Sequence, residues 1–365
     1  MQKIALVIFE NFSCTPHDYI VLLIQPRPKL NKNLILETIG YLEKKYLRYK
    51  DKIHICIYMK PFISICIPAY KNAAYLEILL RSVASQSFRD YEVVVCDDSP
   101  DDSVEMLCKN YGSNFPLNYR RNSPAKGSPA NWNATITMAK GSWIKMMHDD
   151  DWFASDLSLE IFAKAAVNNQ DKGFIFSGYS EWEKGVTRKI SIPAGNIENK
   201  LSNAPLSLIV NNVIGHPSTT LIQNNNPGLY DENMKWLVDI DYYIRCLQRN
   251  SIYVIRQSLI NIGISDQQIT KSTFRKREVE IPENLYLLNK MGTGILKNIA
   301  VYDHYWRTFR NLGTRNIAEV EQYAAGNIIP EEIKKMLKIQ SNLSLSLLRI
   351  GAISKLLMAI SYFRT

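Results

Sequence analysis

The chain has 365 residues, of which 46% are hydrophobic, and it carries a formal net charge of +9. This length suits one large domain with an addition, and the apolar fraction is enough for a sizeable core. The charge alone would fit a nucleic-acid binder, but the chain has no recognised nucleic-acid-binding motif. A dinucleotide-dependent dehydrogenase is also excluded, because no G-x-G-x-x-G follows the first core strand.

Residues 1–60 carry the weakest signals in the chain. An apolar run covers residues 19–24, and apolar residues recur at helical spacing over 34–47. The apolar start lacks a signal-peptide cleavage pattern. MKPFISICIPAYKN looks like a natural beginning, so we hypothesise that the native start is Met59 and that residues 1–60 are an N-terminal extension. The competing interpretation is a genuine additional element.

Two buried strands are predicted next, over residues 63–68 and 91–96, with a helix between them. Tyr70 follows the first strand, where its ring can cover a nucleobase. The predicted helix has one mostly apolar stripe: Tyr75, Ile78, Leu79, Ser82, Val83 and Gln86. Asp97 and Asp98 end the second strand, where open α/β sheets bind ligands, so they can accept from a ribose hydroxyl and a base N–H. An acidic turn that caps the next helix is the alternative.

A third predicted strand, residues 143–147, runs into one histidine and three aspartates: His148, Asp149, Asp150 and Asp151. Consecutive carboxylates repel one another and are tolerated when they are solvated or neutralised by a cation. Such hard oxygen ligands suit Mg²⁺ or Mn²⁺. A solvated acidic loop is the alternative, and His148 alone is weak evidence for a metal ligand.

Another pair of carboxylates lies far downstream. Asp239 precedes a helical pattern of apolar residues that extends to residue 247. A carboxylate near a helix start is often only a cap or a partner of the helix dipole. Asp241 and Arg245 are four residues apart and can pair on the same helix.

Five motifs occur in one order, and together they resemble the family 2 glycosyltransferases over residues 61–270. They are PAYKN, VVVCDDS, NWN, HDDDW and the D-x-D-x-x-x-R that begins at Asp239. Each motif is weak by itself, but five in order are specific. The resemblance implies an α/β GT-A fold, with a Rossmann-like mixed central sheet flanked by helices. It also implies inverting transfer of a sugar from a nucleotide-sugar donor.

The resemblance assigns roles to residues. It implies that Asp239 is the general base, that Asp150 binds Mn²⁺ or Mg²⁺, and that Asp151 supports the metal loop. It implies donor binding by residues from all the N-terminal motifs: Pro68, Ala69, Tyr70, Asp97, Asp98, Asn122, Lys126, Gly127 and Asp149. For Lys126 the residue type itself favours a solvated loop lysine.

The chemistry is consistent with these positions. An inverting transfer needs one carboxylate to take a proton from the acceptor hydroxyl and one cation to stabilise the leaving diphosphate. Two departures from the family pattern matter. His148 stands where the first aspartate of the D-x-D motif belongs, and Gly263 and Ser265 replace an Arg-x-His pair, for which Lys271 or Arg275 can substitute. They leave open a nucleotide-binding protein of this fold without transferase activity.

Acceptor contacts are predicted only weakly. His216 lies on the stretch that the family uses near the acceptor, and Trp236 and Asp241 lie close to the candidate base. Trp182 and Trp236 can stack on sugars, although core packing is the default for both. Residues 185–205 are predicted to form a hairpin and loop between the donor half and the acceptor half.

Residues 271–365 are predicted to form a helical, basic and aromatic region. From residue 285 onward, eleven basic and five acidic residues supply six of the nine net positive charges. The final apolar stretch contains Arg349 and Lys355, and each charge costs roughly 2.5–3.5 kcal/mol at a bilayer centre, which argues against a span. Two interpretations stay open: a helix at the surface of an anionic leaflet, and a helix packed on the catalytic domain.

These features predict a setting for the reaction. A basic, aromatic C-terminal region suits a lipid-linked saccharide acceptor at the inner face of the membrane, in bacterial surface-polysaccharide assembly. We expect a UDP- or dTDP-sugar as donor and a glycan as acceptor. The six cysteines include no C-x-x-C pair, so we expect reduced thiols in a cytoplasmic protein.

Overall fold

The computed structural model describes residues 19–24, 54–264, 274–314 and 316–364, with side chains from residue 60 onward. The first two strands are β1 (Tyr19–Ile24) and β2 (His54–Met59), which pair in parallel as a small sheet separate from the main one. The helical pattern predicted over 34–47 lies outside the described residues.

The first half of the main sheet is a parallel α/β unit. Its elements are β3 (Ile63–Ala69), α1 (Ala73–Ala84), β4 (Tyr91–Asp97), α2 (Ser103–Tyr111), β5 (Leu117–Arg121), α3 (Ala130–Met138) and β6 (Trp143–Met146). Strand β3 pairs in parallel with β4 on one side and with β6 on the other. The chain therefore reverses its direction across the sheet at β3, and the carboxyl ends of these three strands meet at a topological switch point.

The second half of the sheet is mixed. Its elements are β7 (Asp151–Phe153), α4 (Ser158–Asn168), β8 (Lys172–Glu183), β9 (Val186–Ser191), α5 (Ile197–Asn203), α6 (Ser207–Val210), β10 (Thr220–Gln223), α7 (Val238–Arg249) and β11 (Ser251–Ile264). The strand order is β5-β4-β3-β6-β10-β8-β11-β7, and β9 pairs with β8. The predicted mixed sheet is confirmed. Residues 185–205, predicted as a hairpin and loop, supply only the second strand of a hairpin, β9, and then helix α5.

Local patterns explain the central strands, because β3 consists of β-branched and small residues, β4 has three valines at its centre, and both are buried along their whole length. The stripe predicted for α1 is correct for Leu79, Val83 and Gln86, which are buried, but wrong for Ile78. Its buried residues are Leu76, Leu79, Leu80 and Val83, whereas Ile78 is 42% exposed. The helix turns its leucines inward because they fill the space above the sheet, and periodicity alone could not rank them above Ile78.

The C-terminal region is helical, as predicted. It contains α8 (Arg277–Met291), α9 (Ile299–Leu312), α10 (Ile317–Glu321), α11 (Glu331–Ser341), α12 (Leu345–Leu348) and α13 (Gly351–Phe363). Tyr302 and Trp306 of α9 belong to the same buried cluster as Phe174 of β8 and Tyr243 of α7. These helices therefore share a hydrophobic core with the sheet and are not a separately packed appendage.

Two sequence expectations bear on the environment of the protein. Cys66, Cys96, Cys108 and Cys246 are buried free thiols, as expected, while the side chains of Cys14 and Cys56 are not described. Throughout the described ranges, no helix combines the length and the apolar character that crossing a bilayer requires.

Glu283 connects the C-terminal region to the helix that carries Asp239. Its buried carboxylate accepts hydrogen bonds from the backbone N–H groups of Lys235 at 2.8 Å, Trp236 at 2.7 Å and Leu237 at 2.9 Å. These groups lie just before α7, where backbone N–H groups lack helical partners. Helix α8 therefore fixes the start of α7.

We expect Glu283→Ala to lower the free energy of unfolding by roughly 2–3 kcal/mol, because three N–H groups lose a charged acceptor. Urea denaturation would measure this change. The matched control is Glu278→Ala in the first turn of the same helix, where the side chain is exposed and the expected change is at most about 0.5 kcal/mol. Equal losses in both variants would contradict the capping role.

Candidate active site

The ends of β3, β4 and β6 bring the predicted donor-side residues together. Tyr70, which follows β3, donates its N–H to Asp149 Oδ2 at 2.9 Å. Asp98, which follows β4, donates its N–H to the carbonyl of Ala69 at 3.0 Å. Pro68 and Ala69 are buried in β3, whereas the side chain of Tyr70 is 54% exposed at the rim. An exposed aromatic ring beside buried carboxylates suits a planar ligand.

Asp97 is fully buried and is held by the protein itself. Its Oδ1 accepts the N–H of Ser99 at 2.7 Å, and its Oδ2 accepts the hydroxyl of Tyr119 at 2.8 Å. Arg121 adds an ion pair at 3.9 Å. Both oxygens thus hold neighbouring backbone and strand β5, and a direct contact of Asp97 with a donor stays a prediction.

Asp98 shapes the loop that follows β5. Its carboxylate accepts the amide of Asn122 at 2.7 Å and the backbone N–H groups of Lys126 at 3.0 Å and Gly127 at 2.7 Å. Gly127 has a φ of +73°, which favours glycine. The loop borders an open cavity of about 590 Å³ lined by Arg120, Arg121, Asn122, Lys126 and Glu232 among others. Lys126 is exposed, as its residue type indicated.

Two asparagines of the NWN motif have structural roles that the sequence did not assign. Asn131 donates to the carbonyls of Ala69 at 3.3 Å and Cys96 at 3.1 Å, and so joins the ends of β3 and β4. Asn133 exchanges hydrogen bonds with the backbone of Tyr230 at 2.9 and 2.8 Å. The sequence feature that could have indicated these roles is the pair of side-chain amides, which α3 buries on its inner face.

The acidic loop forms a cluster of possible metal ligands. One ligand atom from each of His148, Asp150 and Asp151 lies within 4.8 Å of the others. Asp150 was expected to carry the metal alone, with Asp151 only supporting the loop. The turn between β6 and β7 instead gathers three donors, because His148 and Asp151 both face the position of Asp150.

His148 is suited to bind a cation. Its Nε2 is buried and has no hydrogen-bond partner among the described residues. Burial lowers the pKa of His148 to about 3, so the imidazole stays neutral and keeps a free lone pair. Its ring packs on Trp132, with a centroid separation of 4.5 Å, which fixes its orientation.

The carboxylates of the acidic loop lack enough positive charge around them. Burial, and then the charge of Asp150, raises the pKa of Asp149 to about 8, and the same two causes raise the pKa of Asp151 well above its usual value. A divalent cation would stabilise their ionised forms. Two carboxylates and one imidazole are ligands that such an ion accepts, so these residues fit the expected metal.

Lys145 provides part of this compensation and was missed by the sequence analysis. It is fully buried in β6, and its Nζ donates to the carbonyl of Ser218. Its charge favours the ionised form of Asp151, while burial lowers the pKa of Lys145 itself to about 7. A lysine inside the apolar strand WIKM was the available signal.

The candidate base lies in the first turn of α7. Asp239 Oδ2 accepts the side-chain amide of Asn212 at 2.9 Å, and Oδ1 accepts the N–H of Ile240 at 2.9 Å. Burial raises the pKa of Asp239 to about 6. A carboxylate with this pKa can take a proton near neutral pH.

One stretch of chain, residues 212–218, contacts both the base and the acidic loop; we call it the bridging segment. Asn212 lies at its start beside Asp239, and the hydroxyl of Ser218 at its end accepts the N–H of His148 at 2.9 Å. Asn212 also donates to the carbonyl of Gly215 at 3.0 Å, which closes the segment on itself. The bridging segment therefore joins the two halves of the site.

The expected acceptor residues differ in their surroundings. His216 lies in the bridging segment, its ring edge-on to Tyr179, and its charge would lower the pKa of His148. Trp236 is half-buried beside Phe274, with a centroid separation of 6.2 Å. The Nε1 of Trp182 is already bonded to Asn261.

Asp241 is fully buried and lies in an ion-pair network rather than at an acceptor surface. Its carboxylate pairs with Arg245 at 2.7 Å and with Lys290 at 2.8 Å. Two residues along a helix point to roughly opposite sides, so α7 turns Asp241 away from the side of Asp239. The alternative that Asp241 pairs with Arg245 on α7 is confirmed.

Gly263 explains one departure from the family pattern. Its N–H donates to the carbonyl of Asp150 at 3.1 Å, and a Cβ at this position would lie 2.2 Å from that carbonyl oxygen. The close approach of β11 to the acidic loop therefore excludes a side chain here. Ser265 and Lys271 lie outside the described residues, and Arg275 bonds Glu280 through its backbone N–H.

Comparisons with known proteins agree with this geometry. Residues 64–221 match the model of glycosyl transferase family 2. An uncharacterized glycosyltransferase of Rickettsia typhi is 26% identical over 223 residues, which cover 60% of this chain and 69% of that protein. A chondroitin synthase of Pasteurella multocida is 32% identical over 172 residues, which cover 43% of this chain and 17% of the synthase.

A solved structure shares the fold. The mannosyltransferase of Pyrobaculum calidifontis, in complex with GDP-Man and Mn²⁺, superposes with a TM-score of 0.50 at 13% identity. The match covers 91% of this chain and 96% of the other. The predicted GT-A fold is thereby confirmed.

We expect Gly263→Ala to displace the acidic loop, because the new Cβ meets backbone rather than a flexible side chain. The free energy of unfolding should fall by roughly 1–3 kcal/mol. Binding of Mn²⁺ should weaken. It can be monitored as the loss of the free-ion signal in electron paramagnetic resonance. Gly195→Ala is the control, since its Cβ would meet nothing within 4 Å. If Gly263→Ala bound Mn²⁺ as tightly as the wild type, a role of Gly263 in positioning the acidic loop would be refuted.

Proposed function

We propose that this chain, which belongs to glycosyl transferase family 2 and is a glycosyltransferase, moves a sugar from a UDP- or dTDP-sugar to a hydroxyl of a glycan acceptor with inversion. The observation that carries the proposal is the bridging segment. It contacts both Asp239 and the loop of His148, and so links the candidate base to the candidate metal site.

Asp239 would act as the general base. Its carboxylate takes the proton of the acceptor hydroxyl while the acceptor oxygen forms a bond to the anomeric carbon of the donor sugar. The bond from that carbon to the diphosphate oxygen breaks at the same time, and the electron pair leaves with the diphosphate. Attack from the face opposite the leaving group inverts the configuration. Asn212 orients the base through its hydrogen bond to Oδ2.

His148, Asp150 and Asp151 would hold the divalent ion on the donor side. The ion, when bound, neutralises charge that develops on the leaving diphosphate. Asp149 receives the N–H of Tyr70 and so keeps the rim of the base pocket close to the metal loop. The exposed ring of Tyr70 would cover the nucleobase, and Asp98 would hold the loop of Lys126 against the donor.

A relative named chondroitin synthase favours a saccharide acceptor. We propose a growing, lipid-linked glycan in the assembly of a cell-surface polysaccharide such as lipopolysaccharide, with His216 and Trp236 on the acceptor side. Free thiols at the four described cysteines suit a cytoplasmic location.

Asp239→Asn should lower kcat by about 10²–10⁴-fold, because the amide cannot take the proton. Nucleotide binding, measured by calorimetry, should stay near the wild-type value. In the wild-type enzyme, kcat/KM should fall about tenfold per pH unit below pH 6, since the base must be deprotonated and its pKa is raised to about 6. Wild-type turnover in Asp239→Asn would show that another group is the base.

Metal dependence can be tested by titrating the protein with UDP, dTDP, GDP and CMP, each with and without Mn²⁺. One nucleotide should bind tightly and need the ion. Asp150→Asn and His148→Ala should each weaken the Mn²⁺-dependent binding by at least about tenfold. The control is Asp156→Asn, an exposed aspartate nearby in the chain. If His148→Ala binds like wild type, the imidazole is not a ligand.

A further inference from the structure

The last helix, α13, buries polar residues and exposes large apolar ones. Its buried residues are Ser354, Met358 and Ser361, while Leu357 and Tyr362 pack partly buried against the same core. Its outer face carries large apolar side chains, with Leu356 62% exposed and Phe363 81% exposed. A helix that only packs on a core turns its apolar stripe inward, so this arrangement needs another explanation.

The orientation of α13 is fixed by hydrogen bonds to α9. The Nε1 of Trp306 donates to Ser354 Oγ at 3.0 Å, and the hydroxyls of Tyr302 and Ser361 are 2.7 Å apart. Both aromatic partners are buried in the core that α9 shares with the sheet. Rotating α13 to bury its leucines would break these bonds and leave polar groups unpaired, which is costly. The apolar face is thus held toward the outside.

The exposed apolar residues form one surface. Residues 352, 356, 360 and 363 follow helical spacing and lie on the side of α13 opposite its serines. We call the surface formed by these four residues the outer face; Ile350, which precedes the helix, is also 50% exposed. Contiguous exposed apolar surface on a folded chain marks a site of interaction.

The charges around the outer face are basic. Arg349, Lys355 and Arg364 are exposed, and the sequence has no carboxylate after Glu332. Lys355 lies 3.7 Å from Asp303 of α9, yet its side chain remains 71% exposed. An apolar strip bordered by cations is complementary to an anionic lipid surface. A second copy of the chain would instead bring like charges together.

We propose that the outer face docks the protein on an anionic phospholipid bilayer, with α13 lying in the plane of the interface. Thirteen residues of helix are about 20 Å long, shorter than the roughly 30 Å hydrocarbon core, so the helix rests on the bilayer and does not cross it. Leu356, Ile360 and Phe363 enter the acyl boundary, and the basic residues contact the lipid phosphates.

A groove borders one edge of α13. It has a volume of about 680 Å³, lies between α6, α9 and α13, and is lined by Val210, Ile299, Lys355 and Met358 among others. Val210 stands two residues before Asn212, whose amide holds Asp239. The bilayer contact does not depend on the proposed transfer reaction.

The test is flotation of the full chain with vesicles of phosphatidylcholine alone and of phosphatidylcholine mixed with phosphatidylglycerol. Binding should require the anionic lipid. Leu356→Ser/Ile360→Ser/Phe363→Ser should weaken it at least about tenfold, because the inserted apolar surface is removed. Arg349→Gln/Arg364→Gln should weaken it by a similar factor, since each basic residue near an anionic leaflet strengthens binding about fivefold.

A matched control removes exposed apolar residues elsewhere: Met106→Ser/Val186→Ser/Ile190→Ser. This control should bind vesicles like wild type. Mn²⁺-dependent nucleotide binding should be unchanged in all three variants, which shows that each is folded and separates this contact from the donor site.

Three results would overturn the proposal. One is the absence of binding to anionic vesicles by the wild-type chain. Another is concentration-dependent self-association in sedimentation velocity without lipid that the serine variant abolishes, which would assign the outer face to a second copy. Equal loss of vesicle binding in the control variant would also contradict a site on α13.

Discussion

The placement of four acidic-loop residues at the end of β6 is the constraint on which the rest of the site depends. Asp149, Asp150 and Asp151 crowd like charges where water is scarce, beside a neutral His148. Donors from distant elements offset part of this negative charge. They are the N–H of Tyr70, the N–H of Gly263, the hydroxyl of Ser218 and the buried Lys145. These donors leave the carboxylates only partly compensated, and a divalent cation would supply the missing positive charge.

The base and the metal loop are held by different means, although one segment links them. Asp239 sits at the start of a helix whose first N–H groups are capped by Glu283 from the C-terminal region. Asn212 of the bridging segment then sets its orientation, and Ser218 of the same segment contacts the metal loop. Because the C-terminal helices share the core of the sheet, they contribute to the position of Asp239 as well as to stability.

The two interpretations of the last helix turn out to be compatible. Its serines pack and hydrogen-bond against Trp306 and Tyr302, which makes it part of the folded body. Its leucine, isoleucine and phenylalanine face away from that body, between basic residues. A helix anchored on one side by polar contacts can present an apolar side without unfolding. An enzyme that serves a lipid-linked acceptor would gain proximity to it from such a surface.

The sequence by itself determined three strands of the first half, β3, β4 and β6, and the position of the acidic loop, because short apolar runs and strand-end carboxylates are local signals. Only the tertiary structure decided which of those carboxylates do what. It drew His148 and Asp151 toward Asp150, engaged Asp97 and Asp241 in internal contacts, and brought Gly263 against the loop. The partners in these contacts lie up to 112 residues apart. Local hydrophobic periodicity and motif spacing carry no information about contacts at such a separation. The orientations of α1 and α13 depended in the same way on which face the core could fill or hydrogen-bond.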